Sequence, residues 1–158
     1  MPKLTALLHT HNDALRLGRA LDSLRPCDEV LIIDDSSEDD TEKVAREHGA
    51  VFKISIPGVT FGAYAVDASH DWILCLHPNE TLSDDLEASL FDWKNQDPEE
   101  NVSSYWVSIR EQNGTGWHHC PPETRLVNRR LVNWIGEMPP PQSSGLQLSG
   151  DLLCFHQP

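Results

Sequence analysis

Three short clusters hold side chains able to bind a ligand or move a proton: His9-Thr10-His11-Asn12, Asp34-Asp35-Ser36-Ser37 and His77-Pro78-Asn79-Glu80. Carboxylates such as Asp34 and Asp35 can accept from a base N–H or a ribose hydroxyl. The imidazoles of His9, His11 and His77 would make a transition-metal site if the fold brought His77 to either of the others. A second set, His118, His119, Cys120, Cys154 and His156, has zinc-ligand chemistry, but its spacing matches no standard structural zinc pattern. Its simpler reading is two surface histidines beside a buried cysteine. Trp117 and Trp134 flank polar loops and offer faces for sugar stacking, whereas Trp72 sits inside an apolar run and reads as core. The chain contains no GxGxxG and no Walker A sequence, so the usual dinucleotide and P-loop routes are unsupported.

The three clusters fall where strands should end. Residues 3–9 (KLTALLH) predict a short buried strand. A helix follows, capped at Asn12 or Asp13 and running to about Ser23, with Leu15, Leu17, Ala20, Leu21 and Leu24 at helical spacing and Pro26 stopping it. Residues 29–34 (EVLIID) form a second strand, apolar enough to need helices on both faces. Ser36, Ser37, Asp39 and Asp40 open a second helix as caps and dipole partners, and Gly49 closes it. Residues 50–56 predict a strand, 58–69 a turn with a short helix, 71–76 (DWILCL) a strand, and 82–93 a third helix. This alternation predicts a parallel sheet with crossover helices. Residues 103–110, 117–127, 130–134 and 146–155 read as further strands. In open sheets of this kind ligands bind outside the carboxyl ends of the strands, which is where the clusters lie.

Length and charge narrow the role. At 158 residues the chain suits one domain, 1–158, with an α/β half over 1–98 and a β-rich half over 99–158. The net charge is −13, with 21 acidic and 8 basic residues in 1–100 and four of each in 101–158. Such a surface repels phosphate backbones and argues against nucleic acid as a partner. No apolar run is long enough for a transmembrane segment, the pattern of the opening residues is not the one expected of a secretory signal, and four scattered cysteines fit a reducing cytoplasm.

In order along the chain these residues resemble the family 2 glycosyltransferases of GT-A fold, especially bacterial enzymes of lipopolysaccharide-core synthesis. His9-Thr10-His11-Asn12-Asp13 stands where the family has P-T-x-N-E. Asp34-Asp35-Ser36-Ser37-Glu38-Asp39-Asp40-Thr41 matches D-[DS]-[GN]-S-x-D-x-T. Asp71-Trp72-Ile73-Leu74-Cys75-Leu76-His77-Pro78-Asn79-Glu80 is similar to D-W-[IV]-L-x-L-D-A-D-E, and Thr124-Arg125-Leu126-Val127-Asn128 to the R-L-F strand. The resemblance implies a GT-A-like three-layer sandwich with a mainly parallel sheet and a β-rich C-terminal part. It implies sugar transfer from a nucleotide-diphosphate sugar to the hydroxyl of a glycan or lipid-linked acceptor. Thr10, Asp34 and Asp35 would bind the nucleotide. His77, Asn79 and Glu80 would hold a divalent Mn²⁺ or Mg²⁺ that neutralises the leaving diphosphate. Glu80 and Glu137 are the carboxylates available as catalytic base, and Arg125 joins Trp117 and Trp134 as a sugar or acceptor contact.

The sequence departs from the family at the chemical positions. His77 and Asn79 replace both D-x-D carboxylates. Ala65-Val66-Asp67 replaces the basic A-R-N, and Gly136-Glu137-Met138-Pro139-Pro140 stands where relatives have an H-E pair. These changes imply weakened or lost transfer. The alternative reading is a non-catalytic GT-A module that binds a nucleotide, a glycan or a protein.

Overall fold

The computed structural model describes residues 1–97 and 100–156, so the expected boundary between halves at 98/99 lies outside the described residues. One eight-stranded sheet runs in the order β3-β2-β1-β4-β7-β6-β8-β5. Its strands are β1 (Leu4–Thr10), β2 (Glu29–Asp34), β3 (Val51–Ile54), β4 (Trp72–Leu76), β5 (Glu80–Leu82), β6 (Ser104–Asn113), β7 (Gly116–Asn128) and β8 (Leu146–Cys154). Strands β1 to β4 pair in parallel, β7 runs antiparallel to β4 and β6, and β8 lies parallel to β6. Strand β1 is flanked on both sides by parallel neighbours and covered on both faces, which accounts for its near-continuous burial.

The α-helices α1 (Ala14–Asp22), α2 (Thr41–Glu47) and α3 (Asp84–Lys94) all contribute to one core, with Leu4, Ala6, Leu8, Ile32 and Leu74 from the sheet. The opposite face is covered by a 3-10 helix (Phe61–Asp67) and by Val132 and Trp134. Helices on both faces were expected around β2. Instead the third layer is a 3-10 turn and irregular chain. Gly62 makes that layer thin, because a Cβ there would lie 1.9 Å from the Trp134 carbonyl oxygen. Leu15, expected on the buried stripe of α1, is exposed, and the stripe is Leu17, Ala20 and Leu21. No helix among the described residues is long and apolar enough to cross a membrane.

Two expectations fail for long-range reasons. Residues 130–134 are not a strand. Arg129 donates to the carbonyls of Ala65 (2.7 Å) and Ala68 (2.6 Å) and pairs with Asp71, pinning the chain after β7 to the end of the 3-10 helix. The third helix starts at Asp84 rather than Leu82, because Glu80, Thr81 and Leu82 pair with Cys154, Leu153 and Leu152 as strand β5. Ser83 then caps α3, accepting from the Leu86 N–H. Gly150 (φ +93°) lets β8 pass close by: a Cβ there would sit 2.2 Å from the Leu86 nitrogen.

Candidate functional site

The chain after β1 and the chain after β2 are locked together at the sheet mouth. Asn12 and Ser36 adopt left-handed backbone (φ 53° and 50°), unusual for residues other than glycine and a form of strain common at functional sites. The Asn12 N–H donates to Ser37 Oγ and its side-chain oxygen accepts from the Glu38 N–H, both at 2.8 Å. Asp39 accepts from the N–H groups of Ala14 (3.2 Å) and Thr41 (3.0 Å), so it serves as a cap. These bonds fix the rim before any ligand arrives.

Within that rim Asp34 and Asp35 differ. Asp34 is buried; its oxygens accept from Thr10 Oγ1 (2.6 Å), Ser37 Oγ (2.6 Å) and the Ser37 N–H (2.8 Å). Thr10 and Asp34 therefore hold the two loops in register. Asp35 is exposed, its N–H donates to the Thr10 carbonyl, and its own carbonyl meets His11 Nδ1 at 2.5 Å. Among the described residues its carboxylate accepts one hydrogen bond, at 3.4 Å from Ser55 Oγ, and it stands open to a ligand.

A cleft of about 380 Å³ opens beside this rim, lined by residues including His9, His11, Arg16, His77, Asn79, Glu137 and Cys154. Glu137 arrives from the irregular segment after β7. Its Oε1 lies 3.2 Å from His77 Nδ1 and 3.7 Å from His9 Nδ1. The hydrogen bond that His77 donates to Glu137 raises the His77 pKa against the effect of burial, and the same bond lowers that of Glu137. His77 and His9 thus meet through a shared carboxylate. His9 also packs on the Phe61 ring, with centroids 3.9 Å apart.

Glu80 has a different place from the one expected of a metal ligand. Its side chain is 3% exposed and grips Arg125, itself 2% exposed, with Nη1–Oε1 at 2.7 Å and Nη2–Oε2 at 2.8 Å. The His77 N–H donates to Glu80 Oε1 at 2.6 Å, and Arg125 donates further to the Cys75 carbonyl and to Glu123. This buried pair supports the 77–79 turn from beneath. Arg125 is therefore a support for the cleft floor rather than part of its surface. The set His77, Asn79 and Glu80 does not fit a hard dication: its single carboxylate is engaged with Arg125 and its other donors carry no negative charge.

Trp117 and Trp134 do not line this cleft. Trp117 is partly exposed on β7 and packs edge-on against Phe155, whose ring lies under the Arg19 guanidinium. Trp134 is buried in the second core, and Trp72 is core as expected. Arg16 is a lining residue that sequence reading passed over. Its spacing from Asp13, three residues along a helix, was the available signal, and the two side chains pair at 3.1 Å.

Known proteins share the fold and part of the sequence. Residues 5–145 match the family model described as glycosyl transferase family 2. A Rickettsia bellii protein described as an uncharacterized glycosyltransferase is 34% identical over 144 residues, covering 84% of this chain and 48% of that protein. One of Rickettsia felis is 35% identical over 91 residues, covering 55% and 32%. Among solved structures, S. aureus TarS in complex with UDP superposes with a TM-score of 0.55 at 18% identity, covering 72% of this chain and 37% of that one. Glucosyl-3-phosphoglycerate synthase from Mycobacterium tuberculosis, in complex with Mn²⁺, UDP and phosphoglyceric acid, gives 0.53 at 18%, covering 72% and 44%. The structural likenesses show a GT-A-like fold, and the chain spans less than half the length of each of these proteins.

Proposed function

Because the chain belongs to glycosyl transferase family 2, we propose that it is the donor-binding part of a sugar transferase and that the histidine-rich cleft receives a nucleoside diphosphate sugar. The observation that carries this reading is the open Asp35 carboxylate on a rigid rim, adjoining a cleft lined by His9, His11, Arg16 and His77. Asp35 accepts from the base or ribose, while Thr10 and Asp34 hold it in place. UDP, present in both structural neighbours, is the first candidate nucleotide. Residues 1–98 supply this donor half, and 99–158 form the acceptor side, with Trp117 as its exposed aromatic face. The acceptor is a hydroxyl of a glycan or lipid-linked sugar. The four cysteines are free thiols, in keeping with a cytoplasmic setting.

The transfer step follows from the cleft. The acceptor hydroxyl oxygen attacks the anomeric carbon, the bond from that carbon to the diphosphate oxygen breaks, and the electron pair leaves with the diphosphate. Glu137, the carboxylate facing the cleft, takes the acceptor proton. His77 and Arg16 offset the charge that gathers on the leaving group. A divalent ion accompanies UDP in the mycobacterial neighbour. Here the ordinary ligand positions do not suit Mg²⁺ or Mn²⁺, so we assign charge neutralisation to protein side chains.

The engagement of Glu80 with Arg125 also favours a second reading, a module that binds the nucleotide without transferring sugar. Thermal-shift titration with UDP, GDP, TDP and CMP, each with and without Mn²⁺, tests donor binding. A nucleotide at 100 times its Kd stabilises the fold by ~2.7 kcal/mol. Asp35→Ala should abolish that shift while leaving the unliganded Tm unchanged. No shift with any nucleotide would remove the donor-site reading. Release of UDP from a UDP-sugar, lost in Glu137→Gln, separates the transferase from the binding module.

A further inference from the structure

Beyond the cleft, three strands bring together the cysteines and histidine that the sequence keeps far apart. Glu111 on β6 lies opposite His118 on β7 and opposite Cys154 on β8. Cys120, two residues along β7 from His118, shares that face of the sheet. Its Sγ is 3.6 Å from Glu111 Oε2. His156 Nε2 contacts Glu111 Oε1. The ligand atoms of Glu111, Cys154 and His156 all lie within 4.8 Å of one another. His119 is opposite Arg110, so it points to the other face and takes no part.

We propose that Cys120, Cys154, His156 and Glu111 form a zinc site that ties the end of β8 to the β6–β7 hairpin. The donor set of two sulfurs, one imidazole and one carboxylate is what a borderline-soft, four-coordinate ion prefers, and it is poor for Mg²⁺ or Ca²⁺. Zinc bonds of ~2.0 Å to nitrogen and oxygen and ~2.3 Å to sulfur give tetrahedral edges of roughly 3.3–3.8 Å. The Glu111, Cys154 and His156 atoms, within 4.8 Å of one another, reach those values with side-chain movements of about an ångström, and Cys120 joins them by a swing of its side chain from its 3.6 Å contact with Glu111. Each thiol that ligates releases its proton to solvent. The site is distinct from the Asp35 rim but adjoins the cleft, because Cys154 also lines it and accepts from Asn79 Nδ2 at 3.5 Å. Neighbouring Phe155 is held between Trp117 and Arg19. Zinc here would fix one wall of the cleft whether or not the protein transfers sugar.

The test uses the full chain, purified under reducing conditions, stripped with a chelator and titrated with Zn²⁺ and Co²⁺. One ion per chain is expected, with a thiolate-to-cobalt charge-transfer band. The band should weaken in Cys154→Ser, vanish in Cys120→Ser with Cys154→Ser, and stay unchanged in His77→Ala, while His156→Ala should weaken cobalt affinity by about tenfold or more. Absence of binding, a cobalt spectrum without the thiolate band, or a band of full strength in Cys154→Ser would overturn the site. A measurement on the unaltered chain covers the case of variants that fail to fold. Zn²⁺ should slow iodoacetamide alkylation at Cys120 and Cys154 and leave Cys27 unaffected. Equal rates at Cys120 and Cys154 with and without zinc would also overturn it.

Discussion

Replacing Arg125 by Met strands a buried carboxylate. In the native fold Glu80 accepts two bonds from the guanidinium, at 2.7 and 2.8 Å, and one from the His77 N–H. The two side chains are 2% and 3% exposed, so solvent screens the pair little. At 2.7 Å and an effective dielectric near 20, their gross attraction is ~6 kcal/mol, most of it offset by desolvation of both groups. Removing one partner leaves the desolvation cost of the other uncompensated, at ~3–5 kcal/mol. Urea denaturation should register that loss directly. For a chain of this size the matching fall in Tm is about 6–20 °C. Glu80→Met should cost a similar amount. The double variant, which replaces the pair by two apolar side chains, should come out near the native stability. The coupling energy of the cycle is then several kcal/mol and favourable. Single variants that each cost less than ~1 kcal/mol, or a double variant as unstable as the sum of the singles, would refute the buried-pair account. Nucleotide affinity, measured at a temperature where each variant is folded, should fall with either single change, because the 77–79 turn loses its support.

Three further outcomes are expected. The His77–Glu137 pair should stabilise the fold most at mildly acidic pH. His77, raised by Glu137 from its ordinary 6.5, contributes fully below that value and loses its effect as pH rises through the folded pKa. Glu137, lowered from 4.5, contributes above that value and loses its effect as pH falls through the folded pKa. The Tm difference between the native chain and His77→Ala should therefore peak near pH ~5–6, and a flat difference would dismiss the pair. Gly150→Ala should destabilise by more than ~2 kcal/mol in urea titration, since the added Cβ meets the Leu86 backbone at 2.2 Å and the backbone is left-handed. His77→Asp with Asn79→Asp restores two carboxylates above the Glu80–Arg125 pair and should create Mn²⁺-dependent UDP affinity; a folded double variant with no gain would show that the floor cannot seat the ion.

The early strands and the rim were open to sequence reading because their signals are local. Segments of five to seven residues rich in apolar side chains mark β1, β2 and β4, and the Asp34–Thr41 segment carries its caps within eight residues. Local spacing also placed His9, His11 and His77 at strand mouths, because a strand's end is set by where its apolar run stops. What local spacing could not fix was who meets whom across the sheet. Glu80 reads as a spare carboxylate until β7 lays Arg125 against it, 45 residues away in sequence. Glu137 sits in an irregular stretch among prolines, and only the docking of residues 129–134 on the 3-10 helix carries it back to His77, 60 residues away. Strand β5 is three residues long and exists because β8 pairs with it. Pairings of this range depend on the summed packing of two cores and on side-chain charges meeting in low dielectric. The order of residues along the chain sets which groups are available, and tertiary structure decides which are engaged and which remain open to a ligand.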